Sequence, residues 1–193
     1  MNQNPSHRCP DADIAQLLGL AGTNDAELAA RVVDLIRAYP SDERLHFLEG
    51  SLLAAGRDYE AAAKAMARAI ELAPSFAIAR FQLGFLQLTS GRPDAARATW
   101  ASLRHAQGED PLRFFVEGLD HLIRDEFDEA IRLLERGMAV NTQNAPLNHD
   151  MGLLIGEMRA RQAGVGGDDG GDVSVASAAQ QLLQQAALKS TRH

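Results

Sequence analysis

Residues 43–76 read ERLHFLEGSLLAAGRDYEAAAKAMARAIELAPSF. The stretch has two halves with helical periodicity, roughly Asp42 to Ala55 and Tyr59 to Leu72, separated by Gly56-Arg57-Asp58. Pro74 follows the second half, and proline cannot continue a helix. The stretch therefore predicts two helices joined by a tight turn.

Glycine recurs every 34 residues, at Gly50, Gly84, Gly118 and Gly152, in segments whose periodicity otherwise predicts helix. Because glycine inside a helix costs about 1 kcal/mol relative to alanine, its repetition indicates helices that approach too closely for a side chain. Two further series share the period: Ala62, Ala96 and Ala130, and the large apolar Met66, Trp100 and Leu134. An interval of this length predicts stacked helix pairs.

Composition narrows the class of protein. The chain has 193 residues, 46% of them hydrophobic and 5% aromatic, and a net charge of −7. The acidic balance argues against a nucleic-acid partner, and no apolar run approaches the roughly 20 residues that cross a membrane. Cys9 is the single cysteine, so no intrachain disulfide can form. These features predict a soluble, cytoplasmic protein with no membrane insertion.

With units starting at residues 43, 77 and 111, the chain resembles the tetratricopeptide repeat family. Tyr59, Pro93 and Phe127 open the second helix of the three units. The departures are Glu49 and Glu117 before the glycine, His121 in place of tyrosine and Thr142 in place of proline. The resemblance implies an all-α fold, a right-handed superhelical array of antiparallel helix pairs called a tetratricopeptide solenoid.

The phase of the repeat predicts the organisation of the chain. A disordered N-terminus over 1–10 precedes a degenerate helical repeat over 11–42, in which Asp11 to Ala21 and Asp25 to Tyr39 are the helices. Three repeats follow, 43–76, 77–110 and 111–144, and then a capping helix over 145–162. A Gly/Asp-rich linker over 163–173 leads to an amphipathic helix over 174–190. Its apolar stripe consists of Val175, Ala179, Leu182, Leu183 and Ala186.

The resemblance also implies a binding surface, because first helices of tetratricopeptide repeats line a concave groove. The predicted groove residues are Phe47, Ile78, Phe81, Phe85, Leu88, Leu112, Phe115, Leu119 and Leu122. Their apolar character favours an apolar or amphipathic peptide, and the basic and amide residues of the family's carboxylate clamp are missing. The alternative is that these side chains pack against neighbouring helices and bury one another.

Three functions fit this surface. The first is a protein-interaction adaptor or chaperone, similar in size, acidity and repeat number to the small tetratricopeptide chaperones of bacterial type III secretion. The second is a scaffold whose own C-terminal helix occupies the groove, in cis or across a homo-oligomer. The third is a regulatory partner of a separately encoded enzyme.

Catalytic residues are not evident. The six histidines are scattered, although Glu117 and His121 stand four residues apart on a predicted helix. A pair without a third ligand predicts a solvated or hydrogen-bonded contact rather than a metal site. The Gly/Asp-rich linker fits neither the EF-hand spacing nor the glycine-rich nonapeptide repeat that binds calcium. We therefore expect a non-enzymatic protein with no cofactor and no metal.

Overall fold

The computed structural model of the chain describes residues 8–164. This part is helical and contains no strand. Its α-helices are α1 (Asp11–Leu20), α2 (Asp25–Ala38), α3 (Glu43–Ala55), α4 (Tyr59–Leu72), α5 (Ala77–Thr89), α6 (Pro93–Trp100), α7 (Pro111–Leu122), α8 (Phe127–Val140) and α9 (Ala145–Gln162), with a 3₁₀ helix at Leu103–His105. The described residues fall into two compact units, the first ending at Leu83 and the second beginning at Gly84. The all-α fold class is confirmed.

The turns inside the three central helix pairs share one backbone conformation. Each contains a residue in the left-handed region, Arg57 at φ 66°, Gly91 at φ 73° and Asp125 at φ 57°. The N–H of the next residue then donates to the carbonyl five positions earlier, at 2.9 to 3.0 Å in all three turns. Since these residues occupy the same position of successive repeats, the repetition of the sequence extends to the backbone conformation of the turns. Glycine occupies this left-handed position only in the middle turn.

The periodic glycines explain how the helices of each pair pack. A Cβ built on Gly50 would lie 2.7 Å from Met66 Cγ, and one on Gly118 would lie 2.9 Å from Leu134 Cγ. A Cβ on Gly84 would overlap the Trp100 indole. The predicted close approach is therefore present at three of the four glycines. At Gly152 it is absent among the described residues, because a Cβ there would meet only Met138 Cε, at 3.8 Å.

In the first unit, α1, α2 and the start of α3 enclose a small apolar core of Cys9, Leu17, Leu28, Val32 and Leu45. Cys9 is held in place by Asp42, the N-cap of α3, whose buried carboxylate accepts a hydrogen bond from the Cys9 N–H at 2.8 Å. Arg44 donates to the Cys9 carbonyl at 2.6 Å and to Asp11 at 2.5 Å. The sequence predicts disorder over 1–10, and for residues 8–10 the structure differs, because these contacts fix the chain there.

In the second unit the helix that pairs with α5 is short. It ends at Trp100, and the chain continues as the 3₁₀ helix, which places Leu103 in the core and brings the Arg104 guanidinium within 3.1 Å of Asp120. The turn from α8 to α9 lacks the proline of the family pattern. Buried Asn141 takes over its ordering role by donating to the Asn148 side chain at 2.8 Å and to the Asn144 carbonyl at 3.0 Å.

Candidate functional site

The nine predicted groove residues divide into two sets by burial. Six are buried, and they are Phe81, Phe85, Leu88, Phe115, Leu119 and Leu122. Phe47, Ile78 and Leu112 are half-buried. Only the second set offers apolar surface to a partner without rearrangement of the helices.

Phe115 shows why most of the set is buried. A Cβ built on Gly137 of α8 would lie 2.5 Å from Phe115 Cε1, so the ring packs directly onto the backbone of that helix. Phe115 has no exposed surface. The sequence carried a signal for this contact, because Gly137 is a further glycine inside a helix and stands outside the periodic series. For six residues the structure thus favours packing between helices, the alternative left open by the sequence.

In the first unit, Phe47 pairs with an aromatic residue that the sequence reasoning missed. The Phe47 and Phe76 rings meet edge to face, with centroids 5.2 Å apart and an interplanar angle of 61°. Both rings are half-buried, and Ile78 close by in sequence is half-buried as well. Phe76 occupies the repeat position at which Asp42 and Asp110 act as helix N-caps. An aromatic residue at a capping position was the available signal.

In the second unit, half-buried Leu112 lies beside a charged and aromatic cluster at the start of α7. The guanidinium groups of Arg113 and Arg136 lie over the buried Phe114 ring, 4.6 and 4.5 Å from its centroid. Arg136 also contacts Glu109 at 2.7 Å. Each cation over a phenyl face contributes about 0.5–1 kcal/mol at exposed sites. The cluster stabilises the start of α7, the helix that carries Leu112.

A second charged cluster centres on Asp120 of α7, which accepts a hydrogen bond from Arg97 Nε at 2.7 Å. Arg104 and Arg124 approach the same carboxylate within 3.1 and 3.3 Å. Burial raises the pKa of Asp120, but the hydrogen bond from Arg97 and the charges of the arginines outweigh it, so the pKa lies below its usual range. The carboxylate remains ionised at neutral pH and ties α6, the 3₁₀ helix and α7 together.

The predicted contact between Glu117 and His121 takes a different form. His121 Nδ1 lies 2.5 Å from Glu126 at the turn into α8, while Glu117 faces Arg113 at 3.7 Å. The intervening turn brings Glu126 back towards α7, which the i, i+4 spacing could not reveal. Across residues 8–164, no group of three histidine, cysteine or acidic side chains is arranged to hold a metal.

The candidate self-ligand residues Val175, Ala179, Leu182, Leu183 and Ala186 lie outside the described residues. None of the described helices has the length and apolar character needed to span a bilayer.

Comparisons with known proteins identify the fold. Residues 52–113 match the tetratricopeptide repeat family model. A solved structure of MamA 41-end from Desulfovibrio magneticus RS-1 is similar over 95% of this chain and 97% of its own, with a TM-score of 0.56 and 14% identity. The MamA RS-1 ArsTM double mutant gives the same coverage and TM-score at 15% identity. At such low identity the likeness shows a shared fold alone. No protein with a curated description matches the chain in sequence.

Proposed function

Because residues 52–113 match the tetratricopeptide repeat family, we propose that the chain is a non-enzymatic protein-interaction module, acting as an adaptor or chaperone for an apolar or amphipathic peptide. The observation that carries the proposal is the half-buried aromatic pair Phe47–Phe76 on a repeat scaffold. Repeat scaffolds of this kind present side chains to peptides from rigid helices.

The first-unit anchor, defined as Phe47, Phe76 and Ile78, is the principal contact for the partner. Half-buried phenyl rings keep apolar surface in water, and covering it gains about 25 cal/mol for each Å² removed from solvent. Aromatic residues that are already fixed by packing lose little side-chain entropy on binding. The edge-to-face contact at 5.2 Å provides that fixing here. An aromatic or aliphatic side chain of the partner fits this anchor better than a charged terminus.

Leu112 is a separate apolar contact in the second unit. Its backbone N–H donates to the Asp110 side chain at 2.8 Å, which fixes the first turn of α7. Charged residues lie near it along the chain, because Arg113 follows it directly and Glu109, which pairs with Arg136, precedes it by three positions. An apolar contact with charged neighbours favours an amphipathic peptide over a uniformly apolar one.

The burial of each apolar residue determines which substitutions can test binding without unfolding the chain. A charge placed at Phe81 or Phe115 would be buried, since neither residue has exposed surface, and would unfold the chain rather than test binding. Phe47→Gln/Ile78→Gln removes apolar surface at half-buried positions instead. The matched control is Leu18→Gln/Val33→Gln, because Leu18 and Val33 are the large apolar residues most exposed in the described part, at 58% and 41%.

The experiment is quantitative co-purification with the full-length wild type and both double variants, after thermal melts have shown that all three fold. We expect the anchor variant to lose a defined set of partners by at least about tenfold, the equivalent of about 1.4 kcal/mol, and the control to keep them. Purified partners should then bind the wild type directly. Equal capture by the anchor variant and the wild type would refute the proposal. If enzymes dominate the lost set, the module regulates separately encoded enzymes.

A further inference from the structure

Helix α9 begins as the first helix of a fourth repeat rather than as an unrelated cap. Its N-cap Asn144 accepts a hydrogen bond from the Leu147 N–H and occupies the same repeat position as Asp110, the N-cap of α7. Leu147 is buried, as is Leu45 at the matching position of the first repeat. Gly152 then continues the glycine series.

The surface at Gly152 lacks what the other three glycines have. Gly50, Gly84 and Gly118 each face a large side chain at one constant offset along the chain, Met66, Trp100 and Leu134. The same offset from Gly152 leads to Asp168 in the Gly/Asp-rich linker. Among the described residues, a Cβ on Gly152 would meet only Met138 Cε at 3.8 Å, which is ordinary contact. The surface of α9 at Gly152 could therefore accept a second helix, and no such helix covers it within residues 8–164.

The spacing of the C-terminal segment matches that of the second helices. In α4 the buried residues are Ala62, Ala65, Met66 and Ala69, and in α8 the same four positions are Ala130, Leu133, Leu134 and Gly137. The pattern is a small residue, then apolar residues three and four positions later, then a small residue at seven. Residues 179–186 repeat it with Ala179, Leu182, Leu183 and Ala186.

We propose that residues 174–190 form the second helix of a fourth repeat, with Leu183 seated against Gly152 as Met66 is seated against Gly50. The occupant of the open face is thus a segment of the same chain. It packs on the helix-pairing surface of α9 and not in the peptide groove.

The connection is long enough. In the first repeat, residues 56–58 suffice to join α3 to α4, whereas the proposed connection has the longer stretch 163–173. Glu157 is the α9 residue that matches the end of α3 at Ala55, and α9 continues beyond it to Gln162. This extension adds about 7.5 Å of helix for the chain to retrace. A flexible linker of the length of 163–173 spans about 18 Å root mean square.

The covalent connection favours residues 174–190 over a free peptide as the helix that packs on α9. A segment joined through a short flexible linker experiences an effective concentration of about millimolar. The cost of closing a longer loop grows slowly, by about 0.6 kcal/mol for each doubling of length. Seating an alanine- and leucine-rich helix on a glycine needs no charged contact, in keeping with the apolar stripe of the segment.

The first test is a disulfide trap in the full-length chain, with Cys9→Ala removing the native thiol. Gly152→Cys/Leu183→Cys should oxidise rapidly to an intramolecular disulfide, because seated residues would place the two Cβ atoms within bonding range. Gly152→Cys/Gln181→Cys is the matched control, since Gln181 is about 200° around the same helix from Leu183. Equal rates for the two pairs would overturn the proposal, and so would a disulfide found only between chains, which would assign the segment to a second copy.

The second test keeps Cys9 and measures hydrogen exchange. Gly152→Leu fills the seat, while Gly156→Leu makes the same change one turn later, where a Cβ would meet no described atom within 4 Å. We expect amides of residues 174–190 to exchange at least about tenfold faster in the first variant and at the wild-type rate in the second. Wild-type exchange in both variants, or fast exchange already in the wild type, would contradict seating at Gly152.

Discussion

The indole of Trp100 occupies the space that a side chain at position 84 would need. A Cβ on Gly84 would lie 2.5 Å from Trp100 Cε2 and 2.6 Å from Cδ1. Trp100 is fully buried, so neighbouring residues enclose the ring. The pairing of α5 with α6 therefore depends on the absence of one methyl group.

Gly84→Ala should destabilise the protein by about 1–3 kcal/mol, because overpacking against a rigid ring forces the helices apart. Gly156→Ala is the control, since the same substitution in α9 meets no described atom within 4 Å and should gain up to about 1 kcal/mol in helix propensity. Urea unfolding followed by circular dichroism measures both. Equal stability changes in the two variants would show that Trp100 moves aside.

Introducing glycine at a left-handed turn position should raise the stability of the protein. Arg57 is exposed at φ 66°, and a non-glycine residue there carries backbone strain. Arg57→Gly should therefore stabilise the protein by about 0.5–1 kcal/mol. Arg57→Ala, which keeps the Cβ, should leave stability within about 0.5 kcal/mol of the wild type, the usual range for a surface substitution. A gain with alanine as large as with glycine would point to the arginine side chain instead of the backbone.

Asp42 should contribute more than an ordinary helix cap. It is 1% exposed and accepts hydrogen bonds from the N–H groups of Cys9 and Arg44 and from the Arg44 side chain. Asp42→Ala should cost about 3 kcal/mol, because the Arg44 guanidinium loses its buried partner. Asp58→Ala removes an exposed cap from α4 and should cost about 1 kcal/mol. Thermal melts compare the two, and similar losses would mean that the buried network adds nothing.

The ion pairs of Asp120 should make the stability of the fold depend on pH. Its pKa in the folded chain lies below the ordinary value of 3.8, so its ionised form is stabilised by folding. The contribution is complete above the unfolded pKa and is lost as pH falls from about 4 through the folded pKa. Relative to Asp120→Asn, the wild type should keep a constant stability advantage above about pH 5 and lose it towards about pH 2. An advantage that grows on acidification would reverse the assigned sign.

Helix positions were the most predictable part of this fold. The sequence places the second helix of the first repeat at Tyr59 to Leu72, and α4 runs from Tyr59 to Leu72. Three in-phase units, helix caps and Pro74 combine to fix such ends, since each is a local signal. The contacts of Phe115 were not predictable to the same degree. Register shows which way a side chain points, but burial depends on how closely the neighbouring helix approaches.

Contacts between distant residues were the least predictable. Cys9 and Asp42 are far apart in the chain, and their hydrogen bond exists only because α1, α2 and α3 pack together. A polar stretch such as residues 1–10 reads as disordered when its partner is unknown. The Asp120 cluster was missed for the same reason, because Arg97 and Arg104 reach it from other elements.

Because Cys9 is buried, the reactivity of its thiol reports local unfolding of the first unit. Burial, together with the negative charges of Asp13 and Asp42, raises the pKa of the thiol, and the residue is 2% exposed. Since no other cysteine exists in the chain, a thiol reagent can modify the protein only after the Asp42 and Arg44 contacts release this segment. The labelling rate under native conditions thus reports how often the first unit loosens, without any engineered probe.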